Sequence, residues 1–157
     1  MSKGATPAIV TAEEAGIQYQ LHEYAHNPDA ESFGLEAASA LGVAPERVFK
    51  TLVATVDGQA VNAILPVAGR LSLKALAAAA GGRKAELAKP DAAERATGYV
   101  VGGISPLGQR RALRTFIDAS LSRHATVFVS AGRRGLQIEV APQDLVRLTQ
   151  ATLAPLA

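Results

Sequence analysis

Three features of the chain describe a mixed α/β domain with antiparallel or mixed strand pairing rather than a doubly wound parallel sheet. Two runs rich in β-branched residues, 47–56 and 60–65, flank Asp57-Gly58, the turn chemistry of a tight hairpin. Two more, 125–130 and 136–140, flank Gly132-Arg133-Arg134-Gly135. Between and around these hairpins lie apolar-periodic segments that open on capping residues and stop at glycine, as helices do.

In order, Thr6 as N-cap and Pro7 at the first helical position open a helix that Gly16 closes. Residues 17–24 then alternate, with Ile17, Tyr19 and Leu21 on one face and Gln18, Gln20, His22 and Tyr24 on the other, a half-buried strand with a polar face. Asn27-Pro28-Asp29 breaks the pattern. A helix over 35–41 ends at Gly42, and Pro45 leads into the strand of 47–56. After the second strand of the hairpin, a loop over 66–70 delivers Ser72 as N-cap of an alanine-rich helix. Leu73, Leu76, Ala77 and Ala80 form its inner stripe, and Gly81-Gly82 stops it. Asp91 and Glu94 have the spacing of a capping box for a short helix ending at Gly98, followed by extended chain over 99–101 and a glycine-rich loop over 102–108. Residues 114–118, 125–130 and 136–140 read as strands, and Pro142 starts a last helix carrying Leu145 and Leu148.

The 157 residues suit one domain, 1–157, with its own core. No apolar run reaches the length of a membrane span and no signal-peptide core is visible, so a soluble, cytoplasmic protein with no membrane partner is expected. Without cysteine there is no disulfide framework, thiolate metal site or cysteine nucleophile. Charge is asymmetric: residues 1–70 carry four Lys/Arg against eight Asp/Glu, and residues 71–157 carry twelve against six. Six arginines lie between Arg110 and Arg134 with one acid, Asp118, which points to a polyanionic partner.

The strand of 47–56 holds a single charge within an apolar run, Lys50. Such a lysine is either an edge-strand residue reaching solvent or a functional amine in a pocket. The string His22-Glu23-Tyr24-Ala25-His26 has the letters of a zinc metalloprotease helix, but it ends an alternating strand. In extended chain the two histidines stand roughly 13 Å apart, too far to share one metal, and no third ligand follows, so no metal site is expected. The loop of 102–108 fits neither a phosphate-binding glycine motif nor G-x-S-x-G, since Leu107 stands where the last glycine is needed. It is either an ordinary turn or a run of bared amides facing a carbonyl or phosphate. Ser105 lacks a placed histidine and suits hydrogen bonding better than attack; Ser130 reads as a strand-end serine.

Thr6-Pro7-Ala8, His22-x-Tyr24, Val48-Phe49-Lys50-Thr51-Leu52, the block from Thr97 to Gly108, and Arg134-Gly135-Leu136 occur in one order that resembles the YbaK-type aminoacyl-tRNA deacylases, relatives of the editing domain of bacterial prolyl-tRNA synthetase. The resemblance runs from about Thr6 to Leu148. It implies an α+β domain whose curved, mainly antiparallel mixed sheet, a partial barrel, is flanked by helices. It also implies hydrolysis of mischarged tRNA, Cys-tRNA(Pro) above all, without metal or cofactor, with the substrate's own thiol attacking the ester. By the same resemblance Lys50 is the required residue, and Tyr24, Thr51, Gly102, Gly103, Ile104, Ser105, Pro106 and Ser130 surround the aminoacyl end. The amides of Gly102 and Gly103 are the candidate oxyanion donors. The partners implied are the aminoacylated 3′ end of tRNA and prolyl-tRNA synthetase. One departure is Gln137, where relatives often carry an acid, which bears on selectivity. The competing reading is a non-catalytic module of this fold that holds charged tRNA or a synthetase.

Overall fold

The computed structural model describes residues 5–27, 29 and 32–157. Helix α1 (Pro7–Ala15) begins under the Thr6 cap, and Thr6 also donates its hydroxyl to the Ala131 carbonyl. Next come β1 (Tyr19–Glu23), α2 (Phe33–Leu41), a 3-10 turn at Pro45–Arg47, β2 (Phe49–Val56) and β3 (Gln59–Pro66). They are followed by α3 (Leu73–Ala80), β4 (Ala85–Leu87), α4 (Pro90–Thr97) and β5 (Arg114–Asp118). A 3-10 segment (Ala119–Arg123) leads to β6 (Val127–Arg133), β7 (Leu136–Val140), α5 (Pro142–Thr149) and β8 (Thr152–Ala154). The break expected at residues 27–29 lies partly outside the described residues, at Pro28; Asn27 Oδ1 accepts the Asp29 amide there.

The fold is the expected mixed α+β one: the strands form two sheets that do not close, one ordered β4-β2-β3-β5-β8 and one ordered β1-β7-β6. The β2–β3 hairpin turns at Asp57 (φ 50°) and Gly58 (φ 85°), the left-handed pair that a type I′ turn requires. The β1–β7, β6–β7 and β2–β4 pairs are also antiparallel, whereas β5 runs parallel to β3 and β8 parallel to β5. A parallel bridge from Val48 to Phe128 joins the sheets. β4 covers β2 only from Ala54 to Val56, and the Ala88 amide closes the pairing on the Val53 carbonyl. Between that point and the Val48 bridge the edge of β2 loses its neighbour, and a cleft opens there.

The core beneath the cleft holds Phe49, Ile64, Ile117, Val129 and Ile138, packed against α1 and α5. Several local expectations change. Asp91 lies inside the first turn of α4 and caps nothing; Glu94 instead accepts the Val101 amide at 2.8 Å, so the expected capping box is a loop anchor. Residues 99–101 form bends and a turn rather than extended chain. β1 is an edge strand whose burial changes phase, leaving Leu21 43% exposed while His22 and Tyr24 turn inward. β4 and β8, each three residues, had no sequence counterpart because so short a strand carries no visible period.

Candidate functional site

The cleft is a cavity of about 390 Å³, walled by Phe49 to Val53 of β2, the start of α2 at Phe33, Leu87 and Pro90, the loop at Gly102, and Ser130 with Gln137. Of the residues singled out in sequence, Lys50, Thr51, Gly102, Ile104 and Ser130 meet on this one surface. Gly103, Ser105 and Pro106 are buried and do not line it.

Lys50 is half-buried, opposite Leu65 in the hairpin. Its ammonium donates to the Gly69 carbonyl at 2.8 Å and reaches the Val67 carbonyl at 3.4 Å. An ammonium has three hydrogens, so at least one remains for a ligand. Burial first, then the Arg70 charge, holds its pKa below the ordinary amine value. Main-chain dipoles at Val67 and Gly69 thus stand in for part of the water around its Nζ.

The glycine loop is held from below. Buried Tyr99 donates to the Leu107 carbonyl at 2.6 Å, and burial pushes its phenol up to about 12. Ser105 Oγ accepts the Leu107 amide, and Gln109 ties the Ser105 carbonyl to Asn62. Ser105 is thus a turn-forming serine and not a nucleophile. The Gly103 amide donates to Val100 O at 2.9 Å, so the expected pair of oxyanion donors reduces to one. Among the described residues nothing in the protein accepts the Gly102 amide, and Gly102 faces the cavity. Its φ of +90° disfavours any side chain, and a Cβ there would have to push aside the Arg134 and Phe33 side chains.

Opposite the loop, Ser130 and Gln137 pair across the β6–β7 ladder just before a bulge that ends at Arg133. Ser130 Oγ accepts the Gly132 amide at 3.1 Å, which leaves its hydrogen for donation into the cavity. Thr51 Oγ1 and Gln137 Oε1 are buried, at 9% and 7% residue exposure, and neither has a hydrogen-bond partner among the described residues. Two orphaned polar atoms around one cavity are costly unless a ligand or water completes them. Tyr24 does not line the cavity; its phenol stands beside the Gln137 amide, with burial as the main cause holding its pKa above the ordinary value.

His22 and His26 turn to different carboxylates. His22 Nε2 bonds Glu139 Oε1 at 2.9 Å, and His26 Nδ1 bonds Glu36 Oε1 at 2.8 Å. No histidine lines the cavity, so neither Ser130 nor Thr51 has an imidazole base there.

Phe33, Glu94, Gln137 and Arg134 carry parts of the site that sequence reasoning assigned elsewhere or not at all. Gln137 had a signal as a departure from the family pattern, whereas Glu94 was masked by its capping-box spacing.

The family described as the aminoacyl-tRNA editing domain matches residues 27–148. An Enterococcus faecalis protein provisionally named a Cys-tRNA(Pro)/Cys-tRNA(Cys) deacylase is 37% identical over 95% of this chain and 91% of its own. A multifunctional Ser/Thr-tRNA deacylase of Escherichia coli K12 is 29% identical over 93% of this chain and 87% of its own. A crystal structure provisionally described as a trans-editing enzyme for prolyl-tRNA synthetase superposes with a TM-score of 0.85 at 25% identity, covering 99% of this chain and 98% of that one.

Proposed function

The chain belongs to the aminoacyl-tRNA editing-domain family, and on that footing we propose that it deacylates mischarged tRNA in trans, with Cys-tRNA(Pro) as its principal substrate. It is an ester hydrolase acting on aminoacyl-tRNA. The observation that carries this reading is the cleft itself: Lys50 and Gly102, whose amide has no protein acceptor among the described residues, line one cavity.

An aminoacyl ester is already activated, so catalysis asks for orientation and for stabilisation of charge on the carbonyl oxygen. The Gly102 amide supplies one donor to that oxygen and the Ser130 hydroxyl can supply a second. Lys50 holds the ribose or phosphate oxygens of the terminal nucleotide, or the carbonyl, with its remaining hydrogen. The protein brings no cysteine, and no histidine to the cavity, so it has neither a thiol nucleophile nor an imidazole base there. In the cysteinyl substrate the thiol gives up its proton and its sulfur bonds the carbonyl carbon. The carbon–oxygen bond to ribose then breaks, the ribose oxygen takes a proton, and water opens the resulting thiolactone to free cysteine. The exposed arginines of the second half of the chain meet tRNA phosphates, and prolyl-tRNA synthetase supplies the tRNA in the cytoplasm.

One tRNA charged in turn with Cys, Ser, Ala and Pro tests this reading. Fast loss of the cysteinyl ester, and none of that acceleration with Lys50→Ala, is expected. The non-catalytic reading requires saturable binding of charged tRNA with ester lifetimes equal to those in buffer.

A further inference from the structure

Arg134 lies outside the cavity, at the exposed end of the β6–β7 turn, yet its guanidinium is engaged with the wall. Nε and Nη2 both donate to the Val101 carbonyl, at 3.0 and 2.7 Å. The guanidinium also lies over the Phe33 ring, 4.6 Å from its centre, and Phe33 lines the cavity. From the other side Glu94 Oε2 accepts the Val101 amide at 2.8 Å. We propose that Arg134 is a positioning residue for the reaction: it locks the Val101–Gly102 peptide so that the Gly102 amide points at the developing oxyanion.

The Val101 carbonyl and the Gly102 amide belong to the same peptide unit, which is trans like all the described peptide bonds. In a trans peptide the C=O and N–H point in opposite directions, so whatever fixes one aims the other. Two charge-assisted bonds to the oxygen hold that plane, and the Phe33 ring beneath the guanidinium limits its swing. The same cation draws electron density toward the carbonyl oxygen, which makes the amide hydrogen a better donor. Gly102, a glycine with φ at +90°, does not itself restrain the swing of that plane. An oxyanion donor works only when oriented before the charge develops. Lysine cannot replace the fork, because it offers a point charge rather than coplanar donors.

This inference rests on the deacylase reading, and its test separates the two. In Arg134→Ala, 15N relaxation of the Gly102 amide is expected to show the order parameter dropping from about 0.85 to below about 0.6. In the same variant kcat for the charged tRNA falls roughly 10- to 100-fold, less than deletion of a whole donor would cost, with KM changed by less than about threefold. Added methylguanidinium restores part of kcat to Arg134→Ala and does nothing for wild type, and Arg134→Lys stays impaired. A Gly102 amide equally ordered in the variant overturns the inference whatever the kinetics. So does a defect confined to KM that disappears at high salt, which would make Arg134 a phosphate contact. Wild-type protein that deacylates nothing instead removes the proposed function, and the catalytic role of Arg134 with it.

Discussion

Ser130 and Gln137 face each other across the β6–β7 ladder, and both reach the cavity that holds Lys50. Ser130 is satisfied by the Gly132 amide, whereas Gln137 Oε1 is buried without a partner. Nothing among the described residues completes that carbonyl, and a donor on the substrate is the partner the deacylase reading assigns to it. Gln137→Leu keeps the volume and removes the orphan, so denaturant unfolding should show stability unchanged or raised by about 1 kcal/mol. The same variant should lose roughly tenfold or more in kcat/KM, since one buried hydrogen bond to the substrate is gone. A destabilised variant with normal turnover would mean that the glutamine only fills space.

Lys50 should respond to pH in a particular sense. Its folded pKa lies below the ordinary amine value, chiefly through burial. Between those two values the unfolded chain binds the proton and the folded chain does not, so folding stability rises with pH across that window. Urea titrations of wild type and Lys50→Met should therefore show the difference moving in favour of wild type as pH climbs toward the ordinary lysine pKa. Deacylation that depends on the cation moves the other way and should decline over the same window. Lys50→Ala should cost on the order of 10²- to 10³-fold in kcat/KM.

The neighbouring glycines should fail differently. A Cβ on Gly103 would stand 2.8 Å from the Arg133 Cα, a backbone atom that cannot yield without moving the β6–β7 turn. One on Gly102 would meet Arg134 Nε at 2.5 Å and the Phe33 ring at 3.1 Å, side chains that can shift, although its φ is unsuited to alanine. Thermal unfolding should show Gly102→Ala costing about 1–2 kcal/mol. Gly103→Ala should cost more, about 3 kcal/mol, because overpacking falls on main chain. Relative to its stability, Gly102→Ala should lose the more activity, since it disturbs the clamp on the amide that faces the cavity.

Much of this was legible along the chain because local chemistry announces itself. The Thr6 and Ser72 caps, the glycine stops and the Asp57-Gly58 turn each act within a few residues. Ser32, a cap not among those expected from the sequence, moved the start of α2 back to Phe33, ahead of the expected 35, and so brought an aromatic ring to the cavity. Partnerships between distant residues were not legible. Val101 is bound by Glu94 and Arg134, and the Gly103 amide turns back to Val100, which the letters Gly-Gly do not reveal. His22 and His26 spell a metal motif and yet serve different carboxylates, because a strand sends side chains apart that a helix would gather. The β4 edge, three residues long, defines where the cleft opens and has no periodicity to detect.

The arginine-rich second half should be read out by salt. Arg110 and Arg111 are exposed just beyond the glycine loop, and Arg110 packs over Gly98 at the end of α4. If they meet tRNA phosphates, each contact releases condensed cations and adds roughly 0.7–0.9 to the slope of log affinity against log salt. Arg110→Gln with Arg111→Gln should thus weaken binding of charged tRNA at low salt and flatten that slope by up to about 1.8. The rate at saturating substrate should stay near wild type, because neither residue lines the cavity. An unchanged slope places the tRNA on another face; a fall in the saturated rate would mean that these arginines also hold the loop.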